Sequence, residues 1–335
     1  MGKKLGYNIR IKGEVNPQTM REYFDLAKRA DNAGIYYLGV PGFFDRSDRR
    51  ILHLFTYVSA LAVITEHAKI GFDCLLVPLI HPKHVADVGA SLDIISNGRF
   101  VLGAGLGWRR DEYEKFEVPW EERGKRLDES LDIIKKLWTQ PMIDEYNGKF
   151  FKFKNVCSPP CVQKPHPLIW VGGASNAGLR RAVQYGNDWS GVDFWIPEMG
   201  IPEDKWDIEE RLEKLKEYCK QFGRELVLGR EPRGPKELGY NQRLHVNISS
   251  DREKSVEDAR YFRKVYREIQ GVQITGGSSP FESKIRYAAV GNAEEVIEKL
   301  KAVYDTGAYL VTLYPMSTDS KTQWERIEKE VLPSL

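Results

Sequence analysis

Four cysteines in 335 residues, Cys74, Cys157, Cys161 and Cys219, are too few and too scattered for the disulfide framework of a secreted chain. A reducing cytoplasm fits that usage. Cys157 and Cys161 stand near His166, but the intervening Ser-Pro-Pro and the lack of a fourth ligand favour a proline-rich loop over zinc. Long apolar runs are scarce too. The longest uncharged stretch, Ile51 to Thr65, falls short of the roughly 20 residues that span a bilayer, and reads as a buried helix. The amino terminus has no apolar run ahead of a cleavage site. An excess of either charge is missing: 50 Lys and Arg against 48 Asp and Glu leave a net charge of +2. That balance gives no footprint for nucleic acid or a membrane surface, so the expected partner is a small molecule.

What the chain does have is alternation. Short apolar segments at 5–11, 35–40, 69–77, 99–105, 168–173, 188–192, 242–249 and 308–314 read as strands, with amphipathic helical segments between most of them. Asn16 followed by Pro17 reads as an N-cap and first-turn proline for the helix that begins there. Eight strands alternating with helices predict one (β/α)8 barrel over 1–335, with its active site at the carboxyl ends of the strands. The rival, a doubly wound sheet, would put its glycine turn after the first strand, whereas the glycines here follow the fourth and fifth. Insertions near 144–167, 227–241 and 269–290 interrupt the repeat. In the first, Asn147-Gly148 predicts a tight β-hairpin turn. The other two, rich in Gly, Pro and Ser, fit either covers over the barrel mouth or solvated decoration.

Two glycine turns are the candidate binding features. Gly103, Gly105 and Gly107 resemble a dinucleotide fingerprint, but Trp108 stands where that motif needs glycine. A flat ring lying across this strand end would want such a side-chain-free wall; a ligand-free turn is the bland alternative. Gly172, Gly173, Ala174, Ser175 and Asn176 lead into a helix, whose free N–H groups and positive dipole end favour a phosphate. Ser175 or Asn176 could equally cap that helix. Strand alternation in 243–248 turns His245 and Asn247 toward the barrel axis, which makes His245 a candidate for proton transfer or a satisfied structural histidine. Asp73 breaks an otherwise apolar strand and is either a cofactor contact or a hydrogen-bond anchor at the mouth. Arg123 and Arg126 could reach a phosphate or pair with Glu121, Glu122 and Asp128.

The blocks GRFVLGAGLGWRRDEYEKFEVPWEERGKRLDE, PHPLIWVGGASNAGLRRA and GNAEEVIEKLKAVYDTGAYLVTLYP, in that order over nearly the whole chain, resemble the bacterial-luciferase-like family. The resemblance implies a (β/α)8 barrel that binds FMN or the deazaflavin coenzyme F420, with hydride transfer or, for FMN, oxygen activation. It also implies a homodimer. Position by position it implies a non-proline cis peptide at Asp73-Cys74 under the cofactor ring, ring contacts at Gly105, Leu106 and Gly107, and the phosphate at Gly172, Gly173, Ala174 and Ser175. Gly42 and Phe43 replace the acidic-histidine pair of deazaflavin dehydrogenases. Leu106 replaces both an acidic residue of some members and the luciferase-type arginine. No catalytic acid or base therefore transfers. The resulting expectation is a coenzyme F420-dependent oxidoreductase, with an FMN-dependent monooxygenase and a non-catalytic flavin-binding protein as alternatives.

Overall fold

The computed structural model describes residues 3–12, 14–44, 51–191, 208–270 and 288–335. Eight strands form a closed parallel ring: β1 (Lys4–Asn8), β2 (Tyr37–Val40), β3 (Lys69–Phe72), β5 (Phe100–Gly105), β8 (Leu168–Gly172), β9 (Asp188–Gly191), β11 (Glu237–Ile248) and β13 (Leu310–Pro315). The β9–β11 and β13–β1 pairings close it. Around the ring run α1 (Pro17–Asn32), α2 (Leu54–Ile64), α3 (Pro82–Ile95), α5 (Arg123–Thr139), α6 (Asn176–Tyr185), α7 (Ile208–Gln221), α8 (Arg252–Gln270) and α9 (Ala293–Asp305). Short accessory elements are β4 (Leu75–Leu76), α4 (Arg110–Lys115), the hairpin β6 (Ile143–Asn147) and β7 (Lys152–Val156), β10 (Glu225–Leu226), β12 (Ala289–Gly291) and α10 (Ser320–Arg326). This is the (β/α)8 barrel that the alternation predicts.

Local chemistry explains the elements. Asn16 accepts from Thr19 N at 2.9 Å to start α1, with Pro17 in its first turn, and Asn292 with Glu295 forms a reciprocal capping box at the start of α9. Leu244, Val246 and Ile248 of β11 face the helices in the main apolar core. Arg243, His245 and Asn247 therefore fall on the other side, toward the axis.

Three differences from the sequence expectations matter. The third strand, read as continuous over 69–77, is broken at Asp73 and resumes as β4, which pairs with β5. β11 begins at Glu237 rather than 242, and its first residues pair with β9. Asn147 and Gly148 do lie in a hairpin, but its loop is four residues long, 148–151, closed by Gly148 N donating to Phe151 O at 3.0 Å. The Glu129 carboxylate sets that longer loop by accepting from Phe150 N and Phe151 N at 3.0–3.1 Å.

The insertions are also placed differently. The hairpin segment lies along the outer helical layer, with Ser158 on Asp87 of α3 and Val162 and Gln163 on Asp93. Residues 227–236 are not a cover over the mouth: they precede β11 and lie at the amino-terminal end of the barrel. There Glu231 pairs with Lys4 at 2.6 Å and takes the Tyr36 hydroxyl, and Gly229 N donates to Gly307 O at 2.7 Å. Most of the third insertion, 271–287, lies outside the described residues.

Candidate functional site at the barrel mouth

The break in the third strand creates the site. Asp73-Cys74 is a cis peptide, at the position the family resemblance implies. Neighbouring strands admit the bulge because they are bare: a Cβ on Gly103 would overlap the Phe72 carbonyl, and one on Gly42 would overlap the Cys74 carbonyl. Part of the glycine-rich turn in the fourth strand is thus explained by an approaching strand rather than a ligand.

The Asp73 side chain is held on both oxygens. Asn8 Nδ2 donates to Oδ2 at 3.0 Å and the Tyr37 hydroxyl to Oδ1 at 3.1 Å. Burial, reinforced by Asp73, raises the Tyr37 phenol well above its usual range, so it stays a donor. Of the two readings of Asp73, hydrogen-bond anchor is the one these contacts satisfy. Cys74 turns inward, where Arg243 Nη2 donates to its Sγ at 2.6 Å. Burial pushes the Cys74 thiol up despite the guanidinium beside it. Burial works to lower Arg243 as well, but Cys74, Tyr314 and Asp73 outweigh it and hold the guanidinium above its ordinary value. Arg243 Nε is buried in this layer without a hydrogen-bond partner, and the Tyr314 hydroxyl reaches toward Asp73.

His245 lies beside Tyr314, with ring centroids 5.5 Å apart, in register across β11 and β13. Asn247 is a structural link, donating to Met316 O at 2.6 Å and accepting from Ser255. Leu106 packs against the core and its carbonyl accepts from the Tyr113 hydroxyl at 2.6 Å.

At the other turn, Ser175 is the N-cap of α6 and accepts from Gly178 N at 3.2 Å. Gly173 sits at φ +143°, a conformation that side chains rarely adopt, and its carbonyl accepts from Trp189 Nε1 at 2.8 Å. Ala174 is buried and its carbonyl takes a bond from Arg211. Arg123 and Arg126 have local partners: Arg123 lies over the Trp120 ring and bonds its carbonyl at 2.7 Å, and Arg126 bonds Glu122 at 3.2 Å.

The structure therefore brings Asp73, Cys74, Gly105 and Gly172 together: the sulfur lies beside the Gly172 backbone, and a Cβ on Gly105 would lie 3.1 Å from the Cys74 Cβ. Arg243, Tyr37, Tyr314 and Asn8 are functional candidates that sequence reading missed. The alternation that turned His245 inward also pointed to Arg243, two residues earlier. A bare wall, a helix terminus and an orphaned guanidinium N–H fit a flat, anionic cofactor that supplies its own chemistry.

Residues 6–310 match the luciferase-like monooxygenase family, and the chain belongs to it. It is a luciferase-like oxidoreductase. The oxygenase component of the flavin-dependent trigonelline monooxygenase of Acinetobacter baylyi is 25% identical over 346 aligned positions, covering 96% of this chain and 91% of that one. Among solved structures, the monooxygenase RslO1 of Streptomyces bottropensis superposes with TM-score 0.81 at 21% identity, covering 99% of each chain. An F420-dependent secondary alcohol dehydrogenase bound to an F420-acetone adduct superposes with TM-score 0.77 at 16% identity, covering 99% of this chain and 98% of that one.

Proposed function

We propose that this protein is a reduced-flavin monooxygenase acting on a small organic substrate. The observation that carries the reading is the near full-length likeness to a flavin-dependent oxygenase component, on a chain whose site lacks a transferable acid or base pair. This reverses the order expected from sequence, in which coenzyme F420 came first. The deazaflavin reading keeps one supporting observation: Leu106 stands where a luciferase-type arginine would be.

When bound, reduced flavin would supply two electrons, so that one atom of dioxygen enters the substrate and the other leaves as water. This chain's residues would do the rest. The bulge at Asp73 and Cys74, anchored by Asn8 and Tyr37, would support the ring. The turn at Gly172, Gly173, Ala174 and Ser175 would hold the phosphate by helix-terminal N–H groups. Gly105, Leu106 and Gly107 would border the ring. His245, beside Tyr314, is the side chain here best suited to move a proton, and the wall of the barrel would exclude water from the ring face.

The test is titration of the purified protein with FMN and with coenzyme F420, followed by oxygen uptake with reduced FMN. Tighter binding of FMN and flavin-dependent uptake support the proposal. Tight deazaflavin binding with no oxygen uptake hands the function to F420-dependent hydride transfer. A homodimer is part of the same proposal: Val63, Ile94 and Ile95, 72%, 47% and 50% exposed, lie at the carboxyl-terminal ends of the adjoining α2 and α3 and would be covered by a second copy.

A further inference from the structure

Arg243 is charged and has no direct ion-pair partner among the described residues, with Asp73 acting on it only as a neighbouring charge. Its Nη2 contacts the Cys74 sulfur, which burial keeps as a neutral thiol. The Asp73 carboxylate beside that cysteine takes its hydrogen bonds from Asn8 and Tyr37 and reaches Arg243 only as a nearby charge, without direct contact. Its Nε is buried with no partner. A half-buried guanidinium with an orphaned N–H attracts an anion brought within a few ångströms more strongly than it would in water. The guanidinium lies against the bare end of the fifth barrel strand, where a Cβ on Gly172 would be 3.7 Å from Nη2, one residue before the helix-terminal turn.

Building on the flavin reading, we propose that Arg243 makes the site selective for reduced flavin, whose ring is anionic near neutral pH, over oxidised flavin, whose ring is neutral. The phosphate is common to both forms and cannot discriminate them; a cation under the ring can. An oxygenase supplied with reduced flavin from outside gains from such a preference, because spent flavin leaves and reduced flavin replaces it. Arg243 acts here as a specificity-determining residue and takes no proton.

The experiment measures dissociation constants for oxidised FMN and for dithionite-reduced FMN under nitrogen, by equilibrium dialysis, in wild type, Arg243→Gln and Arg243→Lys. Arg243→Gln keeps a donor for Cys74 and removes the charge; Arg243→Lys keeps the charge. The expected result is at least tenfold weaker binding of reduced FMN by Arg243→Gln, with oxidised FMN changed by less than about threefold and the preference restored in Arg243→Lys. For a two-electron couple a tenfold selective loss lowers the midpoint potential of bound flavin by about 30 mV, an independent readout. Equal weakening of both forms makes Arg243 a phosphate or packing residue and overturns the proposal, as does an unchanged ratio. If Arg243→Gln fails to fold, loss of the preference in Arg243→Lys overturns it. If wild type binds neither form of FMN, the flavin reading itself fails and this proposal falls with it.

Discussion

Gly103 shows how tightly the mouth is built. An added methyl group would meet the backbone carbonyl of Phe72, which cannot rotate away. Gly103→Ala is expected to destabilise the fold at or above the upper end of the ~1–3 kcal/mol typical of overpacking, read as a lowered thermal midpoint. A near-native midpoint would mean that the bulge relaxes. Gly173 imposes a different restriction. A carboxylate placed there to repel the cofactor phosphate would also have to adopt φ +143°, so lost affinity would not isolate charge. Ser175→Ala is the cleaner probe. It removes the cap on Gly178 N, which costs about 1 kcal/mol of stability, while the helix-terminal backbone donors remain. FMN affinity is expected to fall less than tenfold, with riboflavin affinity unchanged; equal losses for both ligands would place the phosphate elsewhere. Asp73 was legible because an acid in an apolar strand must be satisfied somewhere. Its partners were not, since Asn8 and Tyr37 lie 65 and 36 residues away in sequence and meet it only across neighbouring strands. Arg243 was not legible as a site residue because strand alternation over 243–248 draws attention to proton carriers such as His245 and not to a guanidinium without a direct ion pair.

Elements were legible where their period was strong and obscured where polar residues did structural work. The eight barrel strands were recovered in order, yet the first five residues of β11, Glu237 to Asn241, carry Gly and Asn and resembled loop. They are strand because Tyr240 stacks on Trp189 at 5.2 Å and β9 pairs alongside. The break between β3 and β4 followed from the family resemblance, since periodicity alone gave a continuous strand. The hairpin loop shows the limit of turn rules: the carboxylate of Glu129, from a different element, decides its length. Glu129→Ala leaves Phe150 N and Phe151 N without that acceptor. Phe150 is half-buried and regains water, but Phe151 is buried, so the expected cost is about 1–3 kcal/mol, with flavin affinity unchanged because the hairpin lies on the outer helical layer. A change in affinity would show that the hairpin reaches the mouth.

Across the whole molecule, the end opposite the site holds its own polar cluster. Asp188 is fully buried near Trp170, Tyr309, Glu231 and Lys69, and burial pushes its carboxyl up to about 7. An unfolded aspartate titrates near 3.9, so the folded protein binds the proton more tightly. Stability from this group is full below about pH 4 and is lost as pH rises through 7. Asp188→Asn should flatten that decline, recovering up to about 4 kcal/mol at pH 8 relative to wild type, as read by thermal melts at pH 5 and 8. Parallel pH profiles would show that the carboxyl stays ionised. β11 links this end to the site: it pairs with β9 along Gly239–Gln242, with β13 along Asn241–Val246 and with β12 along Val246–Ile248. Few of its central amides can open to solvent without parting the ring itself. In deuterium exchange, the peptide covering 239–248 should therefore be the last to label, at a rate set by global opening, while the β6–β7 hairpin labels early. The strand that carries Arg243 would then lose its protection only when the whole barrel does.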